Sequence, residues 1–474
     1  MSFLTDNEIV ARALDAYSKE AGAGQGRVIN QEPLERIVET LELDRYAQEG
    51  GLEGPTLSSF VERYLKVATR LHHPAYMAHQ VAVPYATGAL GSLIDGFTNN
   101  AMAIYEMGPG AASIEFWVLN WMLKKVGWQP APLDRQSRVE NAPFGGGVLT
   151  HGGSLANLTA MIAARHRVAP DVWANGNPPN LVILAPAGAH YSIARAAGIL
   201  GLGQKAVCHL EVDSRGAVIP EKLAQTHERL RGEGKVPMAV VASACSTAVG
   251  IYDPLAEIGE FCRREGIWLH VDGAHGACAL LSSKYRHLLR GVELADSLTW
   301  DAHKMLQTPV LCAALLVRDH RTLDRTFQQD ASYLFHDKER PGVDFAHRTV
   351  ECTKAGLGLK FFMVLGALGE AKLGAFVERQ YDLAAQAYEY LRQQPGCECA
   401  VQPQSNILCF RFEGGDELRI RDALNAQGDF YLSSAVFGGK RYLRMALMNP
   451  HTRLEDIQRL VQTLRQSRHA PASP

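Results

Sequence analysis

The sequence predicts an α/β fold: a large, mostly parallel sheet of about seven strands, a helical segment before it and a small α+β domain after it. Three observations carry this expectation. Between residues 104 and 320 short apolar runs alternate with helical stretches, the pattern of successive strand–helix–strand units. The 474 residues exceed what one hydrophobic core usually serves. Residues 398–470 then alternate strand and helix again, behind a long helical stretch.

Residues 1–70 read as short helices around a Gly-rich turn, "AGAGQG", and "TLSSFVERYLKVATRL" has helical spacing behind a Thr/Ser start. The helix "GSLANLTAMIAARHRV" follows a short "VLT" run. "NLVILAP", "AVCHLEV", "PMAVVASA", "IWLHVDG", "DSLTWDA" and "LCAALLVRD" are the later strand runs. Between them stand the helices "HYSIARAAGILGLG", "PEKLAQTHERLRG" and "PLAEIGEFCRREG". The polar stretch "HDKERPGVDFAHRT" reads as a loop, residues 355–393 as one long helix, and "HAPASP" as a disordered tail. The expected divisions are a helical segment over 1–103, a large domain over 104–370 and a small domain over 371–474.

Composition narrows the function. With 48 basic against 50 acidic residues the formal charge is -2, which excludes a strongly basic nucleic-acid or anionic-membrane surface. No apolar stretch is long enough for a membrane-spanning helix. The nine cysteines are odd in number and scattered, without zinc spacing, and read as reduced thiols. The start of the chain is amphipathic and acidic, unlike a signal peptide, so a cytoplasmic protein is expected.

Two charged positions stand out. Asp272 closes the apolar run "IWLHV", and Lys304 follows "ADSLTWDAH". Both runs are short enough to be buried parallel strands, so both charges emerge at strand ends, where open parallel sheets bind ligands. A buried carboxylate needs a cation or donors. "THGGSLAN" adds small residues, Gly153 and Ser154, at a helix start, which aims backbone N–H groups at an anion.

In this order, "YEMGP", "THGGSLANLTAMIAAR", "HYS", "HVDGAHGA", "ADSLTWDAHKML" and "SYLF" resemble the group II pyridoxal-phosphate (PLP) decarboxylases. That family includes glutamate, cysteine-sulfinate, diaminobutyrate and aromatic amino acid decarboxylases, all of fold type I. The resemblance runs from about residue 70 to 450. It implies a homodimer with the active site at the subunit interface, PLP as cofactor, an amino acid as substrate, and decarboxylation to an amine. It implies further that Lys304 holds the cofactor covalently and that Asp272 keeps the pyridine nitrogen protonated. His190 would stack on the ring and Ala274 pack under it, with Thr247 near the cofactor. Gly153, Ser154, Asp301, His303 and Ser297 would lie about the phosphate. His79 and Gln80, in "HHPAYMAHQVAVP", match the family's substrate entrance; the few aromatics there point to a small polar or acidic amino acid, with an aromatic one as the alternative.

The chain departs from the family pattern at several places. Gly273 and His275 stand in a stretch that usually reads D-A-A-W/Y, and Asp301 replaces the Asn of W-N-P-H-K. A carboxylate at 301 would repel the phosphate unless turned away or paired. The loop stretch "HDKERPGVDFAHRT" has no tyrosine where the family carries its proton donor, leaving His336, Phe345 and His347 as residues near that place. Lys354 replaces an arginine. Losing the tyrosine would favour oxidative aldehyde formation or transamination, so both stay open. A carbon–sulfur lyase and a non-catalytic PLP-binding protein stay open as well.

Overall fold

The structure is a computed structural model that describes residues 2–134, 137–138, 143–327 and 342–469. It divides into two compact units: Met1–Val83 with Leu383–Gln402 and Asn406–Pro474, and Pro84–Asp382 with Pro403–Ser405. The three-part division expected from sequence takes a different course. Both expected cuts, at 103/104 and at 370/371, fall inside the second unit, because neither coincides with a change of core.

The second unit is built on a seven-stranded sheet ordered β1-β7-β6-β5-β4-β2-β3. Its strands are β1 (Gly146–Thr150), β2 (Leu181–Pro186), β3 (Val207–Leu210), β4 (Val236–Ser243), β5 (Trp268–Asp272), β6 (Ser297–Asp301) and β7 (Ala313–Val317). Every residue of β1, β2, β5, β6 and β7 is buried, as befits strands covered on both faces. β2 through β6 pair in parallel, whereas β7 runs antiparallel to both β6 and β1. Residues 302–312 contain no helix to carry the chain back for a parallel return, so "LCAALLVRD" comes home antiparallel. At the sheet edge Gly147 is required: a Cβ there would stand 2.5 Å from the Leu315 carbonyl oxygen.

The expected single helix over 355–393 begins at Leu357 and ends at Leu391, and it breaks at Gly369, whose φ of 70° and ψ of 168° are not helical. Helical spacing continues on both sides of that glycine, which hides the break from a periodicity argument.

The first unit closes on a four-stranded antiparallel sheet, ordered β10-β11-β9-β8. The strands are β8 (Cys397–Cys399), β9 (Ile407–Phe412), β10 (Ser433–Phe437) and β11 (Lys440–Ala446). Gly438 and Gly439, both at positive φ, make the two-residue turn between β10 and β11. Segment 75–77 is laid against this sheet: Met77 N–H donates to the Tyr431 carbonyl, and the Met77 carbonyl accepts from Ala446 N–H at 2.7 Å. Val28, Met77, Leu391, Phe410, Leu443 and Leu460 are among the core residues here.

Candidate active site

β5 and β6 are parallel neighbours, with Asp272 opposite Thr299. Their carboxyl ends therefore deliver Asp272 and Asp301, with His303 and Lys304 just beyond, to the same edge of the sheet. Asp272 is buried; its Oδ2 accepts from Asn157 Nδ2 at 2.9 Å and its Oδ1 from Ala274 N–H at 3.2 Å. Among the described residues it has no ion-pair partner of its own. The Ala274 carbonyl in turn accepts from Asp301 N–H at 3.1 Å. Backbone and side chain thus tie the two strand ends together.

Asn157, one turn into the helix Gly153–Val168, is the hub that sequence reasoning missed. Its amide nitrogen donates to Asp272 and to Ser192 Oγ at 2.9 Å; its oxygen accepts from Thr299 Oγ at 2.7 Å and from His270 Nε2 at 3.0 Å. His270 Nδ1 faces Ser297 Oγ at 2.8 Å, and that hydroxyl accepts from Trp268 Nε1 at 2.9 Å. Ser192 Oγ lies 2.8 Å from His190 Nδ1, and Ser192 N–H donates to the same nitrogen at 3.3 Å.

The directions of these bonds follow from their fixed donors. A backbone N–H can only donate, so His190 Nδ1 is an acceptor; the Asn157 amide oxygen can only accept, so His270 Nε2 carries its hydrogen and the neutral Nδ1 takes the Ser297 proton. Both imidazoles are then neutral and carry hydrogen on Nε2. Burial agrees. It pushes His270 down to about 4, and it lowers His190 as well, against the upward pull of Asp272 and Asp301. Ser297 is consequently not a phosphate neighbour. It opens β6, about 13 Å of strand away from Asp301, and its hydroxyl is spent on Trp268 and His270.

On the other side, Lys304 Nζ lies 3.3 Å from Asp301 Oδ2, and His303 Nε2 lies 3.6 Å from the same oxygen. His303 is held by its Nδ1 against the backbone of Cys312. The Asp301 carboxylate reaches the start of the helix Gly153–Val168, since a Cβ on Gly153 would stand 2.9 Å from both its oxygens. No side chain caps that helix. Its first N–H groups are therefore available to an anion.

Gly153, His190, Asp272, Ala274, Asp301, His303 and Lys304 thus form one connected cluster. Ser154 is half-buried in the first turn of the same helix, and Thr247 half-buried in the turn after β4. His79 and Gln80 belong to the first unit. His79 Nε2 stands 3.0 Å from Tyr431 Oη, and Gln80 Oε1 accepts from Arg444 Nη2 at 3.0 Å. Arg444 is buried and holds the carbonyl of Ala78 as well. Phe345 is buried in a short helical turn with His347, and His336 lies outside the described residues. Lys354, which replaces the family's arginine, is wholly buried, 3.5 Å from Glu115.

A buried acid without a cation, an amine close by, and an uncapped helix start suit a phosphorylated pyridine aldehyde: a cationic ring nitrogen, a carbonyl carbon and a phosphate each have a counterpart. The fit is good at the ring and amine, while the helix start already faces a carboxylate. Residues 41–413 match the family described as the pyridoxal-dependent decarboxylase conserved domain. The chain belongs to that family. It is a PLP-dependent carboxy-lyase of amino acids, with the α/β architecture of fold type I.

This decarboxylase is 30% identical to the acidic amino acid decarboxylase of Mus musculus over 96% of its own length and 82% of that protein's. It is 31% identical to the cysteine sulfinic acid decarboxylase of Homo sapiens, over 84% and 78%. A crystal structure of mouse CSAD matches with a TM-score of 0.85 at 26% identity, covering 97% of both chains. Among the described residues no helix of this decarboxylase is long and apolar enough to cross a membrane, and no cluster suits a metal ion.

Proposed function

We propose that this decarboxylase acts on an acidic L-amino acid, with Lys304, Asp272 and His190 as its catalytic residues. The observation behind the substrate class is the likeness to relatives named for acidic amino acids and cysteine sulfinic acid.

Bound PLP supplies an electron sink for the pair left behind when CO2 departs. The chain's own residues do the rest. Lys304 would hold the cofactor through its amine. Asp272, without an ion-pair partner among the described residues, would hold a proton on the ring nitrogen. Asn157 and Ala274 keep its carboxylate aimed. His190 offers a flat neutral ring whose Nδ1 is committed to Ser192, leaving its Nε2–H for the reacting side.

A tyrosine stands upstream of residues 336–349. Tyr333, in "SYLF", is the sole tyrosine between β7 and the helix starting at Leu357. It lies in a motif that is itself part of the family resemblance, and outside the described residues. We assign it the proton donation, which favours amine over aldehyde. His347 then has no catalytic part.

The second copy of a homodimer would cover an exposed apolar row on the helix Ala86–Thr98. Leu90, Leu93, Ile94 and Phe97 are 54%, 39%, 43% and 67% exposed, at the spacing of one helix face. A cytoplasmic location accords with nine cysteines, odd in number and scattered along the chain.

The test is an amino acid panel read for amine, aldehyde and CO2 by mass spectrometry. Aspartate, glutamate or cysteine sulfinate should give amine and CO2. Tyr333→Phe should divert product to aldehyde. Turnover of aromatic amino acids alone would refute the substrate class.

A further inference from the structure

Asp301 is the most unusual group in the cluster. It is 2% exposed, and among the described residues its Oδ1 has no hydrogen-bond partner. The other oxygen faces Lys304 Nζ at 3.3 Å and His303 Nε2 at 3.6 Å. The carboxylate lies against Gly153, the first residue of a sixteen-residue helix whose start no side chain caps. A helix start attracts an anion, and here the chain supplies one itself.

We propose that Asp301 is an internal competitor for the cofactor's phosphate, which makes cofactor binding weak and reversible. This rests on the PLP reading above. In the cofactor-free protein the carboxylate serves as the anion of the helix start and as the partner of the Lys304 amine. Loading PLP brings a phosphate to the same helix start and withdraws Lys304 into covalent attachment. Asp301 then loses its cation and gains a like charge as neighbour. In a buried setting that repulsion is poorly screened, and the unpartnered Oδ1 leaves nothing to absorb it. An amide at this position would keep the shape and remove the charge. The consequence is an enzyme whose active fraction follows the free PLP concentration instead of staying saturated.

The experiment is a PLP titration of the cofactor-free protein, followed by the absorbance of bound cofactor, in the wild type and in Asp301→Asn. Asp301→Ser serves as a second variant should the first fold poorly. The expected result is at least about tenfold tighter binding on loss of the charge. Inorganic phosphate, as a separate probe, should raise the melting temperature of apo Asp301→Asn more than that of the wild type. Equal or weaker PLP affinity in folded variants overturns the proposal. Borohydride reduction and peptide mapping separate the two levels of inference. Cofactor fixed on Lys304 with unchanged affinity in Asp301→Asn sinks only the competitor. Cofactor fixed elsewhere, or not at all in the wild type, sinks the site reading itself.

Discussion

Asn157 uses every hydrogen-bonding position of its amide: two donors to Asp272 and Ser192, two acceptor sites to His270 and Thr299. Removing it leaves four buried groups short of a partner at once, and such losses cost about 1–3 kcal/mol for each group that finds no water. Asn157→Ala should therefore lower both stability and rate. The rate loss is expected near 100-fold, with the imidazole of His190 freed to turn, and kcat should fall more than KM rises. An unchanged kcat would show that Asp272 and His190 need no such support. Asp272 and Lys304 were legible because a charge after an apolar run is conspicuous. Asn157 sits unremarked inside "GSLANLT", and only the placement of two strands and the helix Ser192–Ile199 around it makes it a hub.

At the scale of elements, the cradle depends on how β1 is anchored. Leu149 N–H donates to Glu115 Oε1 at 2.9 Å, while its carbonyl accepts from Lys354 Nζ. Glu115 and Lys354 face each other at 3.5 Å with both side chains wholly buried. The pair grips the residue that leads into Thr150–Ser154. Breaking one member strands a buried charge, at about 3–5 kcal/mol, whereas replacing both by apolar groups is often neutral. Lys354→Met should thus lose about that much in chemical denaturation, and the double variant Glu115→Leu/Lys354→Met should recover most of it. A double variant no better than the single would mean that the grip on Leu149, not the charge balance, matters. From sequence, Lys354 read as a weakened substitute for an arginine; its true partner lies 239 residues earlier in the chain, beyond any local pattern.

For the whole molecule, two buried groups set opposing pH dependences. His270 is held near 4 against an ordinary 6.5, by burial. Its contribution is full above about 6.5 and is lost as pH falls toward 4, because the unfolded chain takes up the proton first. Asp253, raised to about 6 from 3.8 chiefly by burial, acts in reverse: the folded state keeps its proton longer, so stability falls as pH rises from about 4 to 6. Each shift corresponds to about 3 kcal/mol, and between pH 4 and 6 they nearly cancel. Denaturant titrations should accordingly find Asp253→Asn gaining stability with rising pH across that window, and His270→Asn losing it, relative to the wild type. Parallel curves would refute the assignment. Sedimentation of the wild type should give a dimer, and Phe97→Asp a shift toward monomer, if the exposed face of helix Ala86–Thr98 is covered by a second copy.

By itself the sequence determined the alternation of strand and helix, the two charged strand ends and the glycine-led helix start, since each is a local matter of period, polarity and side-chain size. The motifs, in order, carried the family. Tertiary structure alone decided the antiparallel course of β7, the break at Gly369, the division into units, and the partners of Ser297, Lys354 and Asp301. The reason is physical: what a buried polar group bonds to depends on which strands and helices meet it in space, and those partners stand up to hundreds of residues away along the chain.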